Sequence, residues 1–288
     1  MIGIDWGTTA MRAFRLEKQH ILERRDAPLG ISSVGAGGFD RALRDTVGDW
    51  LEAGESRVLM CGMVGSRQGW REAPYVGCPA GADALAAGLL PVAFPGATVA
   101  IVPGVQGRDA AGVPEVMRGE ETQLVGLMDT GAGLVCLPGT HSKWAVLADC
   151  SITGFTTHLT GEAFAALRGH TILGRMMQDG PAEPEAFLRG VARAQEGGGL
   201  LHHLFGVRTL GLFAALSERD AGSYLSGLLI GHEVAAAAPS GPVHLVGAAP
   251  LCRLYALALE HHGIRSEIAP SDLAATGLAL IAERAGWK

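Results

Sequence analysis

The feature that most constrains the fold is a strand pattern that occurs twice. Three short strand-like segments, with a Gly-Thr turn after the first, open the chain at Ile2–Asp5, Met11–Leu16 and Gln19–Arg25. A second set follows at Gly133–Leu137, Lys143–Asp149 and Ser151–Thr156. In each half a helix, an apolar strand, another helix and a last strand come next. The sequence therefore predicts a duplicated α/β domain.

The two turns can be superimposed without a gap. Residues 7–14 align with residues 139–146 and share the glycine, the threonine and one alanine. We place the boundary between the halves at 117/118, which gives an N-terminal domain of 1–117 and a C-terminal domain of 118–288. A cleft between two such domains is the expected ligand site.

The paired turns favour phosphate binding. Glycine lets the backbone approach a ligand closely, and neighbouring hydroxyl and N–H groups can contact anionic oxygens. A single Gly-Thr-Thr is more often only a tight turn, but two copies at equivalent positions favour the functional interpretation. The candidate phosphate contacts are Gly7, Thr8, Thr9, Gly139, Thr140 and His141.

Charged residues beside the turns differ between the halves. Asp5 precedes the first turn, whereas Leu137 occupies the aligned position in the second half. A carboxylate near phosphates requires a cation between them, so Asp5 is a candidate Mg²⁺ ligand; the alternative is a turn or capping role. Arg12 and Lys143, at the start of the strands that leave the turns, add candidate positive charge for the phosphates.

Composition limits the classes of partner. The net charge is −6 and hydrophobic residues make up 48% of the chain, which suits a compact cytoplasmic enzyme with a small-molecule substrate rather than a nucleic-acid or membrane protein. Five widely spaced cysteines lack a C-x-x-C pair. Neither a G-x-x-x-x-G-K-[ST] loop nor a dinucleotide fingerprint is present, and no secretory signal is expected at the N-terminus.

The order of these segments resembles a known superfamily. Asp5-Trp6-Gly7-Thr8-Thr9, the Gly139-Thr140 turn and the later Gly247-Ala248-Ala249 are similar to the two phosphate segments and the adenosine segment shared by sugar kinases, actin and the large heat-shock chaperones. The resemblance implies an actin-like ATPase fold of two ribonuclease H-like domains with ATP in the interdomain cleft. Gly247 and Ala248 would contact adenine or ribose; close packing of helix on strand is the equal alternative.

Further motifs resemble a narrower family, the 2-dehydro-3-deoxygalactonokinases. These motifs are Cys61-Gly62-Met63-Val64-Gly65-Ser66-Arg67, Met117-Arg118-Gly119-Glu120-Glu121-Thr122-Gln123, Leu137–Trp144 and Leu159-Thr160-Gly161-Glu162. The resemblance implies ATP-dependent phosphorylation of the 6-hydroxyl of 2-dehydro-3-deoxy-D-galactonate, in galactonate breakdown. Residues 1–117 would form the sugar-acid side and residues 118–288 the nucleotide side.

The attacking hydroxyl needs a proton acceptor. Related kinases carry an acid shortly before the second turn, and Glu121-Thr122 occupies that place here, with Glu instead of the usual Asp. We choose Glu121 and keep Glu120 as the rival. The alternative is that both acids only favour the helix N-terminus that they begin.

A sugar-acid substrate also carries a carboxylate, which arginine can bind through two N–H groups. Arg67 and Arg118 are the candidates, and the glycine-rich loop around Arg67 supplies the remaining candidate contacts. Those contacts are Gly62, Ser66, Trp70 and Tyr75.

Rival interpretations remain open. The chain could phosphorylate another sugar acid or a hexose, or it could be a non-kinase ATPase of the actin type. The oligomeric state is open, with a homodimer as one candidate. Residues 103–114 are expected to form a loop, and the paired histidines, among them His202 and His203, are expected to be solvated.

Overall fold

The structure is a computed structural model that describes residues 1–287. Contacts divide the chain into two compact units. The first unit contains residues 1–133 and 145–155 and the C-terminal segment from Asp272 onward; the second contains residues 134–144 and 156–271. This division describes compactness, so the boundary at 117/118 between the duplicated halves stays a prediction.

The described chain is a mixture of strands and helices. The strands are β1 (Ile2–Trp6), β2 (Met11–Glu17), β3 (His20–Ala27), β4 (Arg57–Cys61), β5 (Tyr75–Gly77), β6 (Leu90–Val92), β7 (Thr98–Ile101), β8 (Gly104–Arg108), β9 (Pro114–Met117), β10 (Leu134–Leu137), β11 (Ser142–Ala148), β12 (Ser151–His158), β13 (Val243–Leu245) and β14 (Ser266–Ile268). The helices are α1 (Phe39–Glu52), α2 (Ala82–Ala87), α3 (Glu120–Leu127), α4 (Thr160–His170), α5 (Pro184–Ala194), α6 (Gly199–Leu212), α7 (Glu218–Ala237), α8 (Ala249–His261) and α9 (Leu273–Arg284).

The two large sheets repeat one strand order. The six-stranded sheet runs β3-β2-β1-β4-β7-β6, and the five-stranded sheet runs β12-β11-β10-β13-β14. In both, the first strand of the set lies between its hairpin partner and a strand that pairs with it in parallel, β4 or β13. The repeated order confirms the expected α/β fold of two ribonuclease H-like domains.

The core of the first unit follows from the alternation along its strands. Ile2, Ile4 and Trp6 of β1 are fully buried, and Trp50 of α1 packs in the same cluster. The indole N–H of Trp6 donates to the carbonyl of Leu29 at 2.8 Å, which satisfies its only polar group. Because β1 is buried in this core, its position also fixes the position of the turn that follows it.

The expectation of a loop over residues 103–114 was wrong. β8 begins inside that segment and lies between β5 and β9 in a separate three-stranded sheet. The flanking prolines and several glycines suggested a loop, but at Gly104 the glycine serves packing. A Cβ there would lie 2.6 Å from the ring of Tyr75, which leaves no room for a side chain.

Close helix crossings hold each unit together. In the first unit, a Cβ on Gly277 of α9 would lie 1.8 Å from the carbonyl oxygen of Thr122 in α3. In the second unit, a Cβ on Gly227 of α7 would lie 1.9 Å from the carbonyl oxygen of Phe187 in α5. Since only glycine allows such approaches, these two crossings fix the start of α3 and the middle of α7.

One histidine departs from expectation. His203 is fully buried: one ring nitrogen lies 3.0 Å from His232 and the other 3.0 Å from the carbonyl of Gly197. The expectation of a solvated ring was wrong because α6 packs this face against α7. No helix within residues 1–287 is both long and apolar enough to cross a membrane.

Candidate active site

The first Gly-Thr turn joins β1 to β2. The N–H of Gly7 donates to the carbonyl of Ala10 at 2.9 Å, and both threonines of the turn are exposed. The turn is braced from behind, since the N–H groups of Ile31 and Ser32 donate to the carbonyls of Gly7 and Thr8 at 3.0 and 3.1 Å. A Cβ on Gly30 would lie 2.1 Å from the carbonyl oxygen of Thr8, so glycine is required there.

The second turn is braced in the same way. The N–H of Glu162 donates to the carbonyl of Thr140 at 2.9 Å, and a Cβ on Gly161 would lie 2.4 Å from the carbonyl oxygen of Gly139. In both units, therefore, a glycine that follows the third strand seats the Gly-Thr turn. This shared support was not visible in the aligned octapeptides and strengthens the case for duplication.

Charged side chains surround the second turn. His141 Nε2 lies 2.5 Å from Glu162 Oε2, and both side chains are exposed. Lys143 is buried, and its Nζ donates to the carbonyl of His141 at 3.2 Å. The structure thus directs this ammonium at the backbone of the turn.

Asp5 lies near the end of β1, beside Arg12 on β2 and Cys61 on β4. Its carboxylate oxygens are 3.5 Å from Arg12 Nη1 and 4.0 Å from Cys61 Sγ. Burial raises the pKa of Asp5, the charge of Arg12 opposes that rise, and the charge of Glu120 adds to it. The carboxylates of Asp5 and Glu120 are therefore close enough to repel each other.

The two neighbouring acids at the start of α3 have different environments. Glu121 is 0% exposed, and its two oxygens accept hydrogen bonds from the N–H of Gly119 at 2.7 Å and the hydroxyl of Thr122 at 3.0 Å. Burial raises its pKa to about 7, with the charge of Glu120 adding to the rise. Glu120 is only half-buried and accepts a hydrogen bond from the N–H of Arg118 at 3.1 Å.

Some hydrogen-bond donors of the Arg118 guanidinium are paired within the protein and others are not. Its Nη2 donates to the carbonyl of Ala73 at 2.8 Å, and its guanidinium carbon lies 4.4 Å from the centre of the Tyr75 ring. Its Nε and Nη1 are buried and have no hydrogen-bond partner within residues 1–287, and the same is true of the hydroxyl of Ser66. Gly65 makes room for this arrangement, because a Cβ there would lie 3.0 Å from Nη1.

Other candidates from the same loop lie elsewhere. The side chain of Arg67 is 81% exposed and pairs with Glu72 at 3.5 Å. Trp70 stacks on Phe39 with ring centres 6.1 Å apart, as part of the apolar core. The structure does not bring these two side chains to Arg118.

Gly62 has a structural reason to be glycine. Its φ is +89°, and a Cβ would lie 2.8 Å from the carbonyl oxygen of Trp6 and 3.3 Å from Asp5 Oδ1. Its Cα also lies 3.1 Å from the position that a Cβ on Gly119 would take. Gly62 therefore lets the ends of β1 and β4 and the start of α3 approach one another closely.

In the second unit, Gly247 follows β13 at the edge where β10 also ends. Its φ is +152°, and a Cβ would lie 3.2 Å from the carbonyl oxygen of Pro138, beside the second turn. Ala248 is the N-cap of α8, and both residues are exposed. This edge thus brings the predicted phosphate and adenosine segments together.

A cavity of roughly 290 Å³ opens next to that edge. Gly139, Gly161 and the α8 residues Leu251 and Tyr255 line part of it. The sequence interpretation missed the polar residues of its wall, which come from segments far apart in the chain. These residues are Thr160, Arg168, Gln178, Arg219, Ser223 and Ser226.

The fold is that of the actin-like ATPases and sugar kinases. The fold is shared with component A of (R)-2-hydroxyglutaryl-CoA dehydratase from Acidaminococcus fermentans, with a TM-score of 0.54 at 13% identity over 99% of this chain and 98% of that one. A much closer structural likeness is a Sinorhizobium meliloti protein provisionally named a 2-dehydro-3-deoxygalactonokinase. Its TM-score is 0.90 at 36% identity, over 99% of both chains.

Sequence relatives identify the family. The model of the 2-keto-3-deoxy-galactonokinase family matches residues 5–281, so the chain belongs to that family. The Rhizobium meliloti protein named "Probable 2-dehydro-3-deoxygalactonokinase DgoK1" is 37% identical over 99% of this chain and 96% of its own. The Escherichia coli 2-dehydro-3-deoxygalactonokinase is 36% identical over 81% of this chain and 79% of its own. Membership makes this chain a sugar kinase that uses ATP.

Proposed function

We propose that this chain transfers the γ-phosphoryl group of ATP to the 6-hydroxyl of 2-dehydro-3-deoxy-D-galactonate, as part of galactonate breakdown in the cytoplasm. The relatives are named for this substrate. The observation in this chain that best supports a sugar acid is that the buried Nε and Nη1 of Arg118 have no hydrogen-bond partner within residues 1–287.

The argument from Arg118 is electrostatic. A buried donor that lacks a hydrogen-bond partner is unfavourable, and a carboxylate oxygen that accepts a hydrogen bond from one of these N–H groups reduces that penalty. The hydroxyl of Ser66, the residue after Gly65, is also unpaired in the described part of the chain and is a further candidate donor. A neutral hexose has no carboxylate for this place, so the arrangement favours a sugar acid over a hexose.

For the proton acceptor, we propose Glu120 in place of our sequence choice, Glu121. Both oxygens of Glu121 already accept hydrogen bonds, and its side chain is fully buried. Glu120 is half-buried and close enough to Asp5 to raise the pKa of that carboxyl. Glu121 would then fix the Gly119 turn from which Glu120 projects.

For the metal, we propose Mg²⁺ with Asp5 as its contact from the protein. The Asp5 side chain is 17% exposed and its Arg12 partner lies 3.5 Å away, so the carboxylate is not fully enclosed by the protein. Within residues 1–287 no cluster of three or more acidic, histidine or cysteine side chains could hold a metal alone. A cation at Asp5 would thus depend on phosphate oxygens and water, as Mg²⁺ usually does; when bound, it neutralises phosphate charge.

For the nucleotide, we propose the second unit. Gly139 lines the cavity, and Gly247 lies beside Pro138 at the start of the second turn. In this proposal the backbone N–H groups of the turn would contact the phosphates and the cavity would take the nucleoside. The candidate homodimer stays a prediction, and light scattering in solution would measure it.

The test compares three arginine variants. Arg118→Ala should raise the KM for the sugar acid by about a hundredfold, the usual loss when a charged hydrogen-bonding partner is removed, while the KM for ATP stays constant. Arg67→Ala tests the rival arginine in the same assay. Arg71→Ala, an exposed arginine of the same loop, is the matched control. A KM for the sugar acid that responds to Arg67→Ala but not to Arg118→Ala would contradict the assignment.

A further inference from the structure

Four buried side chains of the second unit form a continuous hydrogen-bonded chain. Ser142 Oγ lies 2.7 Å from the hydroxyl of Tyr255, which lies 2.7 Å from Glu233 Oε2. The indole N–H of Trp144 donates to Glu233 Oε1 at 2.8 Å. Glu233, at 4% exposure, thus has a partner on each carboxylate oxygen. We call Ser142, Trp144, Glu233 and Tyr255 the Glu233 network.

The chemistry of the groups fixes the direction of these bonds. An indole N–H can only donate, so Glu233 Oε1 accepts it. The single phenolic hydrogen of Tyr255 is donated to Glu233 Oε2, so the Tyr255 oxygen must accept the hydrogen of Ser142. Each bond therefore polarises the next towards the carboxylate, which strengthens the chain.

The network connects the second turn to the wall of the cavity. Ser142 begins β11 immediately after the Gly139–His141 turn. Tyr255 lines the cavity together with Gly139, and its helix α8 starts beside Gly247. Glu233 belongs to α7, which lines the cavity through Ser223 and Ser226. The network thus ties the strand that leaves the turn to the two helices that border the nucleoside cavity.

We infer that the Glu233 network positions the second Gly-Thr turn for nucleotide phosphates, with Glu233 and Tyr255 acting as positioning residues. The inference rests on the proposed nucleotide site in this unit. In this inference, neither the Glu233 carboxylate nor the Tyr255 hydroxyl reacts with substrate. Their effect is to hold the first residue of β11, and through it the donors of the turn, in one place before ATP binds.

Removal of one hydroxyl isolates this effect. Tyr255→Phe keeps the ring in the core but leaves the hydroxyl of Ser142 and one oxygen of Glu233 buried without their partner. The turn should then hold nucleotide less firmly. We expect the Kd for ADP and the KM for ATP to rise about tenfold, as for loss of one hydrogen bond to a charged group. The KM for the sugar acid should stay within about twofold, because the residues proposed to bind the sugar acid are unchanged.

The experiment is a double-mutant cycle on Tyr255→Phe and Ser142→Ala, with ADP affinity measured by calorimetry and kinetics measured for both substrates. If the two residues act through one chain, the double variant should bind ADP no more weakly than Tyr255→Phe alone. Tyr224→Phe is the matched control. Like Tyr255, Tyr224 is buried, but it lies on α7 and packs in an apolar cluster that contains no member of the Glu233 network. Its ADP affinity should equal that of the natural chain.

Several outcomes would overturn the inference. Unchanged ADP affinity in folded Tyr255→Phe, or additive losses in the double variant, would show that the network only supports the fold. Equal rises in the KM for both substrates would show a general disturbance. If Tyr255→Phe fails to fold, Ser142→Ala alone decides. ADP affinity separates this inference from the proposed substrate, since a chain that binds ADP but ignores the sugar acid refutes only the latter.

Discussion

The buried carboxyl of Glu121 makes the stability of the first unit depend on pH. Its pKa is raised from 4.5 to about 7, chiefly by burial. The folded state holds the proton of Glu121 more tightly than the unfolded chain does, so protonation of Glu121 stabilises the folded state. This stabilisation is complete below about pH 4.5 and is lost as pH rises through about 7. A rise of this size corresponds to about 3 kcal/mol between the two limits.

Glu121→Gln removes the titratable carboxyl group and keeps the size and shape of the side chain. The amide oxygen can accept the N–H of Gly119, and the amide nitrogen, in the place of Oε1, can donate to the oxygen of the Thr122 hydroxyl, which reverses the bond that Thr122 donates in the natural chain. Between about pH 5 and pH 8, the free energy of unfolding of the variant should therefore rise by about 2.5 kcal/mol relative to the natural chain.

The assay is urea unfolding at a series of pH values, followed by tryptophan fluorescence. Four of the five tryptophans, at positions 6, 50, 70 and 287, belong to the first unit, so fluorescence mainly reports the unit that contains Glu121. Glu52→Gln is the control, because Glu52 is an exposed acid at the end of α1 in the same unit. Parallel pH profiles for the natural chain and Glu121→Gln would refute the reasoning.

The other predictions concern activity. Glu120→Gln should lower kcat by roughly 10²–10⁴-fold, the usual contribution of a general base, with ADP affinity retained; loss of kcat in Glu121→Gln instead would assign the base to Glu121. Gly161→Ala should weaken ATP binding, since its Cβ would meet the carbonyl of Gly139 at 2.4 Å, whereas Gly169→Ala, at an open position of the same helix, should bind ATP normally. Asp5→Asn should raise the Mg²⁺ concentration needed for half-maximal rate, and removal of Mg²⁺ with EDTA should abolish activity reversibly; activity that survives EDTA would contradict a role for the metal.

Local sequence patterns were sufficient for the strands and the turns. All six strands of the two predicted sets lie close to the bounds that alternation gave them. The reason is that strand alternation and the glycine of a tight turn act over a few residues. The fold class followed, because two similar runs of such elements have few ways to form a sheet.

The environment of the candidate site could not be predicted in the same way. Glu120 and Glu121 are adjacent in sequence, and only the packing of α9 and the Gly119 turn decides which is buried. The contact between Ser142 and Tyr255 joins residues 113 positions apart, and neither stands out in the sequence. Burial and partners at this range depend on how the elements assemble, which no local pattern records.

The central claim is tested most directly by the product of the reaction. The purified chain should be incubated with ATP, Mg²⁺ and 2-dehydro-3-deoxy-D-galactonate, the gluconate epimer or simple hexoses, and the phosphorylated product identified by mass spectrometry and phosphorus NMR. Our account predicts the 6-phosphate of the galactonate derivative with one ADP formed for each, and little turnover of hexoses. Hydrolysis of ATP at a rate that no sugar acid changes, without a phosphorylated sugar, would contradict it.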